Sequence, residues 1–210
     1  MSLTLRHIVF RIFFILIILF TQSISETYAQ ESVNQDTSKY KKFLPDYVKL
    51  QFAGGIGFIS PGLGYTFFNN KLDISLFYSY LPKSITVDDL HSISLQFTGK
   101  LLQFSLSENI DVYPLNVGIF AHHTFGSEFW IKQPDKYSKG YYWWYPGINA
   151  GFFLGGEIKT KLFANKTPAS GTAFYVRVGS RGLYVASKAG NSSIPLKDII
   201  ELGFGVAIYR

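Results

Sequence analysis

The chain has 210 residues, enough for one domain or for one domain behind an export signal. Aromatic residues make up 18% and charged residues only 16%, yet mean hydropathy is just +0.13, so apolar residues are dispersed by alternation and not gathered into spanning helices. The absence of cysteine excludes disulfides, thiolate metal sites and a lipid-modified N-terminal cysteine, while the net charge of +6 leaves open an anionic partner.

The one continuous apolar run is at the N-terminus. Arg6 and Arg11 precede Ile12–Phe20, polar Thr21–Ser25 follows, and Thr27-Tyr28-Ala29 closes the segment. A basic start, a short apolar centre and small residues at the end form a secretory signal over 1–29, with cleavage expected after Ala29. A helical anchor would need about 20 apolar residues, more than this run holds. Loss of Arg6, Arg11 and Glu26 leaves a formal charge of +5. An exported chain meets lipid or lipopolysaccharide headgroups as counter-charge, and no nucleic-acid partner is expected. Residues 30–46 are polar and read as a periplasmic N-terminal arm.

From residue 47 onward the pattern changes to a period of two, the signature of extended chain with one apolar face. Val48, Leu50 and Phe52 alternate with Lys49, Gln51 and Ala53 in a first strand expected over Tyr47–Ile59, with Gly54, Gly55 and Gly57 marking a bend or bulge. Ser60-Pro61-Gly62 reads as a turn, Leu63–Phe68 as a short second strand, and Asn69-Asn70 as a tight turn. Leu72, Ile74, Leu76, Tyr78 and Tyr80 share one face of a third strand, and Ile93, Leu95, Phe97 and Leu101 one face of a fourth, with a loop at 81–90 between. Ser105–Asn109 reads as a turn. Asp111–His123 is the fifth strand, with Pro114 at a bulge or at the membrane boundary because it offers no N–H to a ladder. After a long loop, Thr124–Tyr145, come strand six at Gly147–Lys161, strand seven at Ala173–Val185, a loop at Ala186–Asp198 and strand eight at Ile199–Arg210.

The pattern therefore predicts an all-β fold, an eight-stranded antiparallel up-and-down transmembrane β-barrel over 47–210. With both ends in the periplasm, loops 81–90, 124–145 and 186–198 lie outside, and Ser60-Pro61-Gly62 is the exception, a very short outer turn. A periplasmic β-sandwich is the soluble alternative, although its outer face should be rich in charge.

Three groups of residues could carry chemistry. Inward-facing Glu157, Arg177, Arg181 and Glu201 are expected to form a lumen charge network, pairing Glu157 with Arg177 and Arg181 with Glu201 on adjacent strands, extended by Lys49, Lys71, Asp73 and Lys100. Such a network is a structural plug or, on the sharper reading, a narrow conduction path or ligand site, because buried charges must be paired. His123, Ser127 and Glu128 bring base, nucleophile and carboxylate types close in sequence, as a hydrolase would need. Interfacial polar residues at a strand end are the favoured explanation. The adjacent His122 and His123 point to opposite faces in a strand, so no metal site is expected, and no cofactor. Trp130, Lys132, Tyr142, Trp143 and Trp144, with the other aromatics of the long loop, suit an interfacial girdle or a surface that binds glycan or lipopolysaccharide by stacking and charge.

With signal, dyad-repeat strands and aromatic flanks in place, the chain resembles small OmpX/OmpA-type outer-membrane barrels. The phrases GLGYTFFNN, FYSYLPKS and KGYYWWYPG and the glycine-alternating last strand are similar to barrel proteins of Bacteroidota. The resemblance implies a monomer in the outer membrane, inserted by the barrel-assembly machinery, with loops that meet envelope lipid or an external ligand. Such barrels often end in Phe, whereas here Arg210 follows Tyr209. Lipid A deacylases and palmitoyltransferases share this scaffold, so a lipid A-modifying hydrolase at His123 and Ser127 is the alternative, although their motif pattern is not matched.

Overall fold

The computed structural model describes residues 44–52, 57–86, 88–135, 137–138, 144–161 and 169–210. The signal 1–29 and most of the arm lie outside the described residues. Asp46, at the arm's end, is already tied to the barrel: its Oδ2 accepts from the Thr66 N–H at 2.8 Å, and its carbonyl accepts from the Arg210 N–H at 2.9 Å.

Nine strand segments make one sheet: β1 (Tyr47–Phe52), β2 (Ser60–Phe67), β3 (Leu72–Leu81), β4 (Leu90–Lys100), β5 (Phe104–Ser107), β6 (Ile110–Thr124), β7 (Ile148–Thr160), β8 (Gly171–Arg181) and β9 (Glu201–Tyr209). Consecutive strands pair antiparallel except β4 and β5; β4 pairs instead with β6, and β1 pairs with β9 from Tyr47↔Tyr209 to Phe52↔Phe204. The ring is thus a closed, up-and-down, eight-stranded antiparallel barrel. β5 stands outside it as an appendage on the lower end of β6.

The register puts one parity of every strand inside. Lys49, Gln51, Asp73, Ser75, Ser94, Gln96, Glu157 and Arg177 are all buried. The other parity faces out, with Leu63, Leu76, Ile93, Leu95, Ile119, Phe152, Leu154, Phe174, Val176 and Leu202 exposed. Among the described residues, no outward position of the eight barrel strands carries Asp, Glu, Lys or Arg. The polarity of a water-soluble domain is therefore inverted.

Glycines make room inside. Gly118 lies opposite Phe153 and Gly151 opposite Phe120 on the β6–β7 ladder, and a Cβ at either glycine would run into the facing ring. Tyr47 likewise lies over Gly64, Phe77 over Gly62 and Tyr175 over Gly205. An eight-stranded barrel is just wide enough for its own side chains, so a large residue needs a small one beside it.

Several expectations are corrected. Ser60-Pro61-Gly62 is not a turn but the start of β2, with Ser60 fully buried and the three residues opposite Gln51, Leu50 and Lys49. Pro61 sits where the β2–β3 ladder is interrupted, between Ile59↔Tyr80 and Gly62↔Phe77, the gap a residue with no N–H leaves. β1 ends at Phe52, and the connection to β2 contains the glycine-rich stretch. Residues 101–109 hold the β5–β6 hairpin, not a plain turn. β8 stops at Arg181, four residues short of Val185. Past Gly179↔Glu201 no β9 residue remains to pair with, and Gly182–Gly190 satisfies its own backbone as helix α1. A short α2 (Leu196–Ile199) follows inside the segment read as a loop. Lastly, Lys71 lies exposed in the β2–β3 turn, outside the lumen. In that turn Phe68, Asn69 and Asn70 all have positive φ (54°, 56° and 64°), which the asparagines tolerate better than Phe68 does.

Candidate functional site

The lumen is filled in three layers. At the end that holds Tyr47 and Tyr209, Lys100 is the hub: its Nζ donates to Glu157 Oε1 at 3.0 Å and lies 3.2 Å from Asp73 Oδ2. Lys49 Nζ reaches the same Asp73 oxygen at 3.4 Å, and the Tyr209 hydroxyl donates to Glu157 Oε1 at 3.0 Å. The Tyr47 hydroxyl, 2.8 Å from Ser75 Oγ, also donates to the Ile74 carbonyl at 3.0 Å. Lys159 caps the group, its Nζ 3.6 Å from the Tyr209 ring centre. Side chains of β1, β3, β4, β7 and β9 are thereby joined across the interior. Two buried lysines pair with two buried carboxylates, the arrangement that buried charge requires.

The middle layer is built on Arg177. Its guanidinium carbon lies 4.9 Å from the Phe153 ring centre and 5.7 Å from that of Phe120. Its Nη1 donates to Gln96 Oε1 at 3.0 Å, and beside it the Tyr175 hydroxyl donates to Gln51 Oε1 at 3.2 Å. In the upper layer, Arg181 Nε lies 2.9 Å from Glu201 Oε1. There Ser94 Oγ is 2.8 Å from His122 Nδ1, whose other nitrogen is 3.1 Å from Thr124 Oγ1.

Of the two ion pairs read from adjacent strands, Arg181 and Glu201 come together. Glu157 and Arg177 do not: the β7–β8 register sets Glu157 opposite Tyr175 and Arg177 opposite Gly155. Arg177 then runs toward the phenylalanines while Glu157 turns to Lys100. The Lys100–Glu157 and Lys49–Asp73 partnerships cross the lumen between strands that are not neighbours. Only the inward parity of these residues signalled them.

His123 and Ser127 are not brought together. His123 faces outward, its Nδ1 2.6 Å from the Gly147 carbonyl and its ring edge-on to Phe125, while Ser127 and Glu128 are exposed in the loop. No hydrogen bond joins His123 to Ser127 among the described residues. The serine that meets a histidine is Ser94, by way of His122. With Ser94 1% and His122 4% exposed, and a threonine where a triad has a carboxylate, that contact braces the upper lumen.

Of the loop residues, Tyr142 and Trp143 lie outside the described residues. Trp144 Nε1 donates to the Ile148 carbonyl at 2.8 Å, which turns its ring to the rim of β7. Trp130 tilts against Tyr145 with ring centres 5.7 Å apart, and Lys132 is exposed in the same loop. On the neighbouring loop, Asp89 Oδ1 accepts from the Tyr80 hydroxyl at 2.7 Å and from the Lys83 N–H at 2.8 Å. These two hydrogen bonds, the hydroxyl's first, hold the Asp89 carboxyl below its ordinary pKa.

No family model, curated protein or solved structure matches the chain. Its class therefore rests on the fold itself: a closed eight-stranded up-and-down β-barrel with a filled, polar interior and an apolar outer wall.

Proposed function

We propose that the chain is an exported outer-membrane barrel of the small OmpX/OmpA type. On this reading it acts as a structural envelope protein whose outer loops meet lipopolysaccharide or an external ligand through Trp130, Lys132 and the aromatics around them. The observation that carries the reading is the uncharged apolar wall around a polar, hydrogen-bonded lumen. Ile148 to Ile158 on β7 spans about 33 Å of extended chain, or about 24 Å along the axis at a tilt near 45°, matching the apolar band of such barrels. The side chains that fill the lumen favour a plug over an aqueous channel. The Gly147 carbonyl against His123 and the exposed position of Ser127 give the hydrolase reading no support.

The chain has no cysteine, so single-cysteine variants report position without background. Glu128→Cys, in the long loop, is expected to react with a membrane-impermeant maleimide on intact cells, and Asn70→Cys, in the opposite turn, only after the outer membrane is opened. Recovery of the protein in the soluble periplasmic extract, or equal labelling of both sites on intact cells, would refute the proposal.

A further inference from the structure

We infer that the middle layer of the lumen is a binding site for one small inorganic anion of halide type, held between Arg177, Gln96, Gln51 and Lys49. The inference concerns the barrel interior; its vesicle assay rests on the proposed membrane location, whereas its crystal assay does not.

Arg177 is 6% exposed, and no carboxylate lies within 4 Å of it among the described residues. Its one hydrogen-bond partner there is the neutral Gln96, and its ring contacts are Phe120 and Phe153. A guanidinium so far from water calls for counter-charge. The carboxylates of the layer below are committed, Asp73 to Lys49 and Lys100, and Glu157 to Lys100 and Tyr209. In these two layers Lys49, Lys100, Lys159 and Arg177 face Asp73 and Glu157, so positive charge is in excess.

Beside Arg177 lies a cavity of about 20 Å³ whose polar lining includes Lys49, Gln51, Gln96, Thr98 and Asn116, together with Glu157, whose charge is already met by Lys100. That is room for one water-sized species. The hydrogen bonds already made orient both glutamine amides. Gln96 Oε1 is taken by Arg177 and Gln51 Oε1 by Tyr175, so the Nε2 groups are left over, and both are buried without a partner. Gln51 is 1% and Gln96 4% exposed. Two orphaned N–H₂ donors, a guanidinium without a carboxylate and an ammonium around one small cavity form an anion site. Asn116, whose Oδ1 also lacks a partner, lines the same cavity. A water would serve the amides but not the charge.

The test uses the full mature chain refolded into lipid vesicles and, in parallel, crystals grown in sodium bromide. At matched ionic strength, urea unfolding in sodium chloride or bromide is expected to shift to higher urea than in sodium gluconate. At halide ten times its dissociation constant the folded-to-unfolded ratio rises about tenfold. The shift is expected to vanish in Gln96→Leu and in Arg177→Met. Gln51→Leu is the second variant should Arg177→Met not fold, as judged by heat-modifiable migration. In the crystal, bromide is expected to give an anomalous peak between Arg177 and Gln96. A wild-type barrel indifferent to halide, a cavity peak with no anomalous signal, or a halide effect that persists in Gln96→Leu and Gln51→Leu would each overturn the assignment.

Discussion

Glu157 shows how a single lumen residue carries load from several strands at once. Its Oε1 accepts from Lys100 and from the Tyr209 hydroxyl, so it joins β7 to β4 and β9. Glu157→Gln removes the charge but nearly keeps the shape, leaving Lys100 with the oxygen it shares with Lys49. Breaking one side of a buried pair costs about 3–5 kcal/mol, whereas replacing both charges is close to neutral. Urea unfolding in vesicles is expected to show the large loss for Glu157→Gln and recovery of most of it in Glu157→Gln/Lys100→Met; equal losses would mean the pair is not coupled. Asp89 works at the surface and responds to pH. A carboxyl with a depressed folded pKa contributes its stability fully above the ordinary aspartate value and loses it as pH falls through the depressed one. Tyr80→Phe is expected to raise the Asp89 pKa toward the ordinary value in an NMR titration, and an unchanged value would show that the hydroxyl is not the cause.

Among the elements, β6 and β7 show how shape is divided between strands. Phe153 covers Gly118 and Phe120 covers Gly151, each ring lying where the facing residue has no side chain. Gly118→Phe alone overfills the lumen and Phe153→Gly alone empties it, the latter at about 3–5 kcal/mol. The double exchange, Gly118→Phe with Phe153→Gly, returns the ring to the same layer from the other strand. Its urea midpoint is expected to lie above that of either single variant; a midpoint below both would contradict the reciprocal packing. The parity of these residues was legible in the sequence, because a period of two sorts Phe152 and Leu154 from Phe153 without knowledge of any partner. What Gly118 and Gly151 are for was not legible, because that depends on register. Helix α1 escaped for a related reason. Tyr184 and Val185 favour strand by propensity, but there β8 has outrun its partner β9, and a chain with one open edge does better by satisfying its own backbone. Ser60-Pro61-Gly62 has the composition of a turn, yet Pro61 falls on a rung the ladder leaves open.

For the whole molecule, closure decides what adjacency cannot. Arg181 and Glu201 could be paired from sequence because β8 and β9 are neighbours and both residues fall near the same height. Lys100 and Glu157 could not, since β6 lies between their strands, and only the closed ring brings them face to face. Closure also gives the wall its uniform outer face, and that face makes a prediction that depends on depth. Ile148 and Leu154 lie on one strand, both outward, 44% and 49% exposed. In water, arginine at either site would be tolerated equally. In a bilayer Leu154 lies near the middle of the band and Ile148 at its outer edge. Leu154→Arg is then expected to cost about 2–4 kcal/mol and Ile148→Arg about 0–1 kcal/mol. Urea unfolding in vesicles measures both. Equal costs at the two positions would mean that the apolar wall does not face lipid, and the proposed membrane location would fall with it.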